Sequence, residues 1–297
     1  MTEAPTHVFG LPRLPVAIIA MLTGAACLAG NHALVRFVAD EVGAIETSAL
    51  RFLWALPMML PWLIRSRFRV LRTRRHGLHF LAGLTTFAST LFLFSGLALL
   101  PLAFATSLSF AAPLFATVMA VLLLKERVHA GRWIAIIIGF AGVLIILRPG
   151  IMPVTPAAIL PLGFAIAYGF WFILMKRLGS SEDKSTTTIY QTLWSALLLT
   201  LIALPEWQWP SLDATLRSAA MAGLGTAAIF LVAWAFDLAE ASIVAPFDYI
   251  RLPMIAFIAY LAFGEIPDIF TILGALVIVG ATLVSTHLAT SSPPPPQ

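Results

Sequence analysis

Long apolar runs broken by short polar joints dominate this chain. The runs fall near residues 15–35, 44–64, 78–99, 102–124, 131–147, 154–175, 186–204, 217–237, 241–263 and 268–286. A helix of about 17–25 apolar residues crosses a hydrocarbon layer of about 30 Å, so the pattern predicts ten transmembrane helices. The joints carry charged and helix-breaking residues: Arg65-Ser66-Arg67-Phe68-Arg69, Arg148-Pro149-Gly150, Gly179-Ser180-Ser181-Glu182-Asp183 and Trp209-Pro210-Ser211. Leu100-Pro101 makes a very short joint between the third and fourth runs. Residues 1–14 are expected to form a cytoplasmic N-terminal segment, and the proline-rich stretch 289–297 a disordered tail.

Composition fixes the solvent. Of 297 residues, 60% are hydrophobic and only 11% are charged. A water-soluble surface needs about a quarter of its residues charged, so lipid must solvate the outside of this fold. The net charge of +4 is no sign of nucleic-acid binding, because the basic residues gather in the joints. With the N-terminus inside, thirteen Lys and Arg fall in inner loops, six of them between Arg65 and Arg75. The outer loops hold three, Arg36, Arg148 and Arg217. That bias predicts cytoplasmic N- and C-termini. The start Met1-Thr2-Glu3 lacks the basic segment of a secretory leader, so the first run is expected to be a retained span. Cys27 is the one cysteine and lies within an apolar run, which leaves no disulfide framework or metal-type spacing.

The sequence also repeats itself. At an offset of 140 residues, Arg36 falls on Lys176, Leu53-Trp54 on Leu193-Trp194, Ala82-Gly83-Leu84 on Ala222-Gly223-Leu224, and Pro113 on Pro253. The register then slips by one, so that Glu126 meets Glu265. A constant offset carrying Trp, Gly and Pro together marks a duplication. Five spans per copy is an odd number, so the second copy would enter the membrane from the opposite side. Inverted repeats of this kind are a common construction in secondary transporters, with the site near the midplane.

Polar groups at membrane depth are few and are therefore candidates for function. Asp248 and Arg251 are three residues apart, close enough to pair on a helix or to receive a charged substrate. They replace Leu108 and Ala111 of the first copy. Arg51 lies about a turn into the second span, early enough to snorkel to the interface. Asn31 and His32 sit toward the end of the first span. Tyr168, Trp171 and Tyr249 lie deep enough to stack on a planar or cationic substrate, or simply to pack. Pro113 and Pro253 fall mid-span and are expected to kink their helices as paired hinges. Ser107, just before Pro113, offers a hydroxyl to the path or to its own backbone. Glu126 and Glu265 close equivalent helices, as edge salt bridges or as gate and coupling groups. No catalytic constellation, metal cluster or nucleotide-binding loop is present in the sequence.

These residues resemble the drug/metabolite transporter superfamily, and within it the EamA-type ten-helix carriers. The likeness runs over about residues 15–287. It rests on Leu50-Arg51-Phe52, Phe110-Ala111-Ala112-Pro113, Leu123-Leu124-Lys125-Glu126 and Gly139-Phe140-Ala141-Gly142-Val143 in the first copy. In the second copy it rests on Arg251-Leu252-Pro253, Phe263-Gly264-Glu265 and Leu273-Gly274 with Gly280. The resemblance implies a central cavity lined by the first, third, fourth, sixth, eighth and ninth spans. Such carriers move amino acids, nucleotide-linked compounds, vitamins, sugars or drugs. The stretch from Asp248 to Pro253 is similar to members that import S-adenosylmethionine or riboflavin.

The expectation is an all-α integral membrane protein of the bacterial-type inner membrane. Its ten helices form two inverted five-helix repeats, at 15–150 and 151–288. It would carry a small polar or amphipathic metabolite (amino-acid, vitamin or nucleoside-like) by alternating access, with a proton coupled through Asp248 as an option. Its partners would be that small molecule and membrane lipid, with no nucleic acid, and the assembly a monomer or homodimer. It would need no cofactor or metal and would not be an enzyme. The rivals are a membrane-embedded enzyme and a non-transporting scaffold.

Overall fold

The structure is a computed structural model that describes residues 7–8, 11–125, 130–148, 155–179, 182–239 and 245–290. Among these it contains eleven α-helices: α1 Arg13–Val42, α2 Ala44–Arg65, α3 His76–Leu99, α4 Leu102–Ser109, α5 Ala112–Leu124, α6 Ala130–Leu147, α7 Ile159–Gly179, α8 Lys184–Ala203, α9 Leu212–Leu238, α10 Arg251–Phe263 and α11 Ile269–Thr290. A two-residue antiparallel pair, His7–Val8 with Leu11–Pro12, precedes α1. Seven helical runs are long and apolar enough to cross a membrane by length and composition, counting Leu102–Leu124 as one run. Trp133–Leu147 and Ile269–Val284 are shorter apolar helices.

Local chemistry sets the helix ends. Gly43, at φ 81°, closes α1 and opens α2 in a conformation that disfavours other residues. The Asp183 carboxylate accepts the Ser185 N–H at 3.1 Å, and the Ser211 hydroxyl accepts the Ala214 N–H at 3.1 Å, so α8 and α9 carry capped starts. Gly264, at φ 66°, ends α10.

Pro113 and Pro253 do not bend continuous helices as the sequence suggests. The fourth run is broken: α4 stops at Ser109, Phe110 and Ala111 form a turn, and α5 begins at Ala112 with Pro113 in its first turn. There the missing N–H costs nothing, because first-turn N–H groups have no partner within the helix. The second copy repeats the device, with a 3-10 turn Ala245–Ile250 giving way to α10 and Pro253 in its first turn.

The two copies interlock. The most extensive packing joins α1 to α9, α6 to α11 and α3 to α7. In the order of the apolar runs of the sequence these are the first with the eighth, the fifth with the tenth and the third with the sixth. Exchange of the two copies maps that pattern onto itself. Small residues allow the close approaches: a Cβ on Gly24 of α1 would meet Val232 Cγ2 of α9 at 3.0 Å, and one on Gly83 of α3 would run into the Trp194 ring of α8. α1 is surrounded, with Ala17, Met21, Ala25, Ala29, Val35 and Val38 all fully buried. The outside is apolar: Ile137 is 65% exposed and Leu276 63%. That surface suits lipid and not water.

Candidate functional site

A group of the deep polar side chains converges between the two copies, from α1, α2, α7 and the segment that opens α10. The Arg251 guanidinium donates from Nη2 to Asp248 Oδ2 at 3.1 Å and lies 4.6 Å over the Phe110 ring. Asp248 thus sits in the 3-10 turn, Arg251 opens α10, and both face the turn that interrupts the fourth run. Phe110 also contacts Tyr249, at 5.2 Å between ring centroids. The Tyr249 hydroxyl is hydrogen-bonded to Thr282 of α11.

From the first copy, Asn31 and His32 of α1 are buried, at 3% and 4% exposure. Asn31 donates to the Met221 carbonyl of α9 at 2.7 Å. His32 is within electrostatic reach of both Arg51 and Arg251. Arg51 does not snorkel outward. Its guanidinium rests against α9 at Gly225, where a Cβ would stand 2.8 Å from Nη2 and 3.2 Å from Asn31 Nδ2. It also lies 4.9 Å over the Phe52 ring. On α7, Tyr168 is within electrostatic reach of Asp248 and Arg251, and stacks on Trp171 at 5.0 Å and 28°.

Several of these polar atoms are left waiting. His32 Nδ1, Asp248 Oδ1 and Arg251 Nε are buried with no hydrogen-bond partner among the described residues. A buried unpaired polar group costs about 1–3 kcal/mol, so a cluster of them is unusual unless something fills it.

Other predicted residues fall elsewhere. Ser107 donates back to the Ala103 carbonyl at 2.7 Å and so satisfies its own helix. The Trp171 indole N–H donates to Gln191 at 2.7 Å, and Gln191 also accepts from Thr86 at 3.0 Å. Glu265 stands apart from the cluster, and its partner is distant in sequence. It pairs with Arg36 of α1 and accepts the Leu102 N–H at the start of α4 at 2.8 Å. Glu126 lies outside the described residues. At the opposite end of the bundle, Glu182 accepts from Thr73 at 2.9 Å and stands 3.5 Å from His79.

The contacts of Gly225 with Arg51, of Phe110 with Arg251 and of Arg36 with Glu265 are not legible in the sequence. Gly225 is one glycine among nineteen, and Phe110 reads as core. Arg36 counts as a loop charge, although its match to Lys176 across the repeat was a usable signal. A surface depression of about 820 Å³ lies between α6 and α11. Its walls of Leu144, Phe270, Leu273 and Leu276 are apolar, with Arg148 the one charged residue in the lining, and the depression is open to the outside of the bundle.

A helical unit used twice, an apolar exterior and a polar cluster held between the copies define a polytopic membrane protein of the carrier kind. The sequence pattern of the EamA-like transporter family matches residues 15–148 and again 155–286. The chain belongs to that family, and it is an integral protein of the inner membrane. It is 32% identical to the riboflavin transporter of Vibrio cholerae, over 87% of this chain and 89% of that one. It is 28% identical to the S-adenosylmethionine uptake transporter of Rickettsia prowazekii, over 85% and 86%. A crystal structure 21% identical in sequence superposes with a TM-score of 0.61, covering 91% of this chain and 97% of that one, which supports the fold.

Proposed function

We propose that the protein is a secondary carrier of a small, ring-bearing polar metabolite, working by alternating access around the central cluster. The observation that carries this reading is the convergence of unpaired buried polar atoms, on His32, Asp248 and Arg251, between the two copies. A substrate with donors and acceptors would satisfy them, and Tyr168 with Trp171 would take its ring. The substrates named for the relatives, riboflavin and S-adenosylmethionine, support a planar nitrogen heterocycle.

Ten spans in two inverted repeats, divided at about 150, suit the loop charges and the exchange-symmetric packing. On this reading both termini are cytoplasmic, and a reporter fused within 65–79 reads as internal. The broken fourth and ninth runs are the hinges. Each would let one half of a span tilt while the other stays packed. The Arg36–Glu265 pair ties α1 of the first copy to the end of α10 in the second, and so closes one mouth. Asp248 is the carboxylate on which a coupled proton would travel.

The test is uptake by purified protein in liposomes from a labelled panel that includes riboflavin and S-adenosylmethionine. The wild type is expected to carry at least one compound saturably, and Asp248→Asn and Arg251→Ala each to lower that flux about tenfold or more. Unchanged flux in both variants would sink the assignment of the site. No flux of any compound would sink the carrier reading.

A further inference from the structure

Three fixed charges meet in the central cluster, and they do not cancel. Asp248 and Arg251 neutralise each other at 3.1 Å. Arg51 has no carboxylate within 4 Å among the described residues. Glu46, on the same helix, is engaged elsewhere, receiving the Gln208 N–H at 2.9 Å. The contact that the described residues do give the Arg51 guanidinium is the Phe52 ring, and the residue is largely buried. Beside it, Asn31 offers a second amide N–H, since only one is needed for the Met221 carbonyl. The absence of a side chain at Gly225 is what lets both donors reach this spot.

The result is a buried face rich in donors, holding one positive charge without a carboxylate partner in a region of low dielectric. An arginine fork of this kind is matched by the paired oxygens of a carboxylate or phosphate. At an effective dielectric of about 20, a unit charge about 8 Å from an uncompensated cation changes affinity by more than about tenfold, in a direction set by its sign.

Resting on the carrier reading above, we infer that the transported metabolite bears an anionic group, a carboxylate or phosphate, seated on Arg51 and Asn31, while its ring lies toward Tyr168. The site accordingly disfavours a net cation. Of the two substrates named for relatives, S-adenosylmethionine carries a sulfonium and an ammonium against one carboxylate, and riboflavin is neutral. Neither fits Arg51 as well as a singly or doubly charged anion of similar size.

Matched pairs that differ by one anionic group test this directly. Riboflavin against its 5′-phosphate isolates a phosphate, and nicotinamide against nicotinate isolates a carboxylate. S-adenosylmethionine serves as the cationic control. Affinity is read by thermal stabilisation of the purified protein and by uptake into liposomes held without a membrane potential. The wild type is expected to prefer the anionic member of at least one pair by about tenfold, and the cation least. In Arg51→Gln that ratio collapses toward one. In Arg51→Lys, which keeps the charge but loses the fork, the preference keeps its sign at reduced size, and this variant decides the matter if Arg51→Gln does not fold. Equal or reversed preference in the wild type overturns the inference, as does a ratio undisturbed in Arg51→Gln. Neutral compounds carried without anion preference would remove this inference alone. Absence of flux for every compound in the wider panel would remove the carrier reading beneath it.

Discussion

Replacing Gly142 by alanine places a methyl group where the helix pair α6–α11 leaves no room. Its Cβ would stand 2.9 Å from the Gly274 carbonyl oxygen, 2.9 Å from Ile278 Cγ1 and 3.1 Å from the Ile278 nitrogen. Two of those three atoms are backbone of the opposite helix and cannot rotate aside. Relief therefore requires the helices to part by about half an ångström along their contact, loosening a tightly packed seam. Overpacking of this kind costs about 1–3 kcal/mol, and alanine returns up to about 1 kcal/mol through its better helix propensity. The net expectation is a loss of about 1–2 kcal/mol. Gly280, farther along α11, supplies the control. A Cβ there meets nothing within 4 Å, so Gly280→Ala is expected to be neutral or to stabilise by up to about 1 kcal/mol. Reversible unfolding in mixed detergent micelles, followed by circular dichroism, measures both. Gly142 and Gly274 close on each other, with a Cβ on Gly274 standing 2.7 Å from the Gly142 carbonyl oxygen. The double alanine variant should therefore lose less than the sum of the singles. A Gly142→Ala protein as stable as wild type, or a Gly280→Ala protein equally damaged, would refute the packing argument.

At Gly225 the neighbour is the mobile end of Arg51, so Gly225→Ala is expected to displace the guanidinium while costing under about 1 kcal/mol of stability. Transport of the best substrate should fall about tenfold, as read in the liposome assay, and an unaffected rate would show that the position of Arg51 is immaterial. Glu265→Gln removes a half-buried partner of Arg36 and is expected to cost about 1–2 kcal/mol at that mouth. Cysteine labelling near Leu34 should then speed up several-fold, and no change would show that the pair does not hold the mouth shut. Burial pushes the Asp268 carboxyl up, but hydrogen bonds from Thr271 and Arg148 outweigh it and hold the group below its usual range. Its contribution is therefore present above the unfolded carboxylate value of about 3.9, and is lost as pH falls through the lower folded value. Melting curves between pH 3 and 7 (about the range needed) should show a shallower acid-side decline in Asp268→Asn; an identical decline would remove Asp268 from that account.

The sequence legible as spans was the part governed by solvent, because an apolar run needs no partner to declare itself. The offset of 140 residues likewise survives without structure, since Trp194 repeats Trp54 wherever the helices sit. Asp248 and Arg251 could be paired in advance because three residues on one turn must meet, and they do at 3.1 Å. Arg51 could not be placed, because its environment is built by Gly225 and Asn31 on two other helices, and a glycine contributes only the space it leaves. Glu265 could be expected to form an edge salt bridge, but its partner Arg36 lies 229 residues away and only the packing of α1 against α10 names it. Pro113 is the instructive intermediate. Its missing N–H signals that the ladder must yield, but not whether the helix bends around the gap or ends and restarts. The chain restarts, because Phe110 and Ala111 close a turn with the Ala111 N–H on the Leu108 carbonyl at 3.1 Å, and the proline then falls where no N–H is wanted. That choice puts the Phe110 ring beneath Arg251, so a local backbone solution in the first copy shapes the charged site of the second.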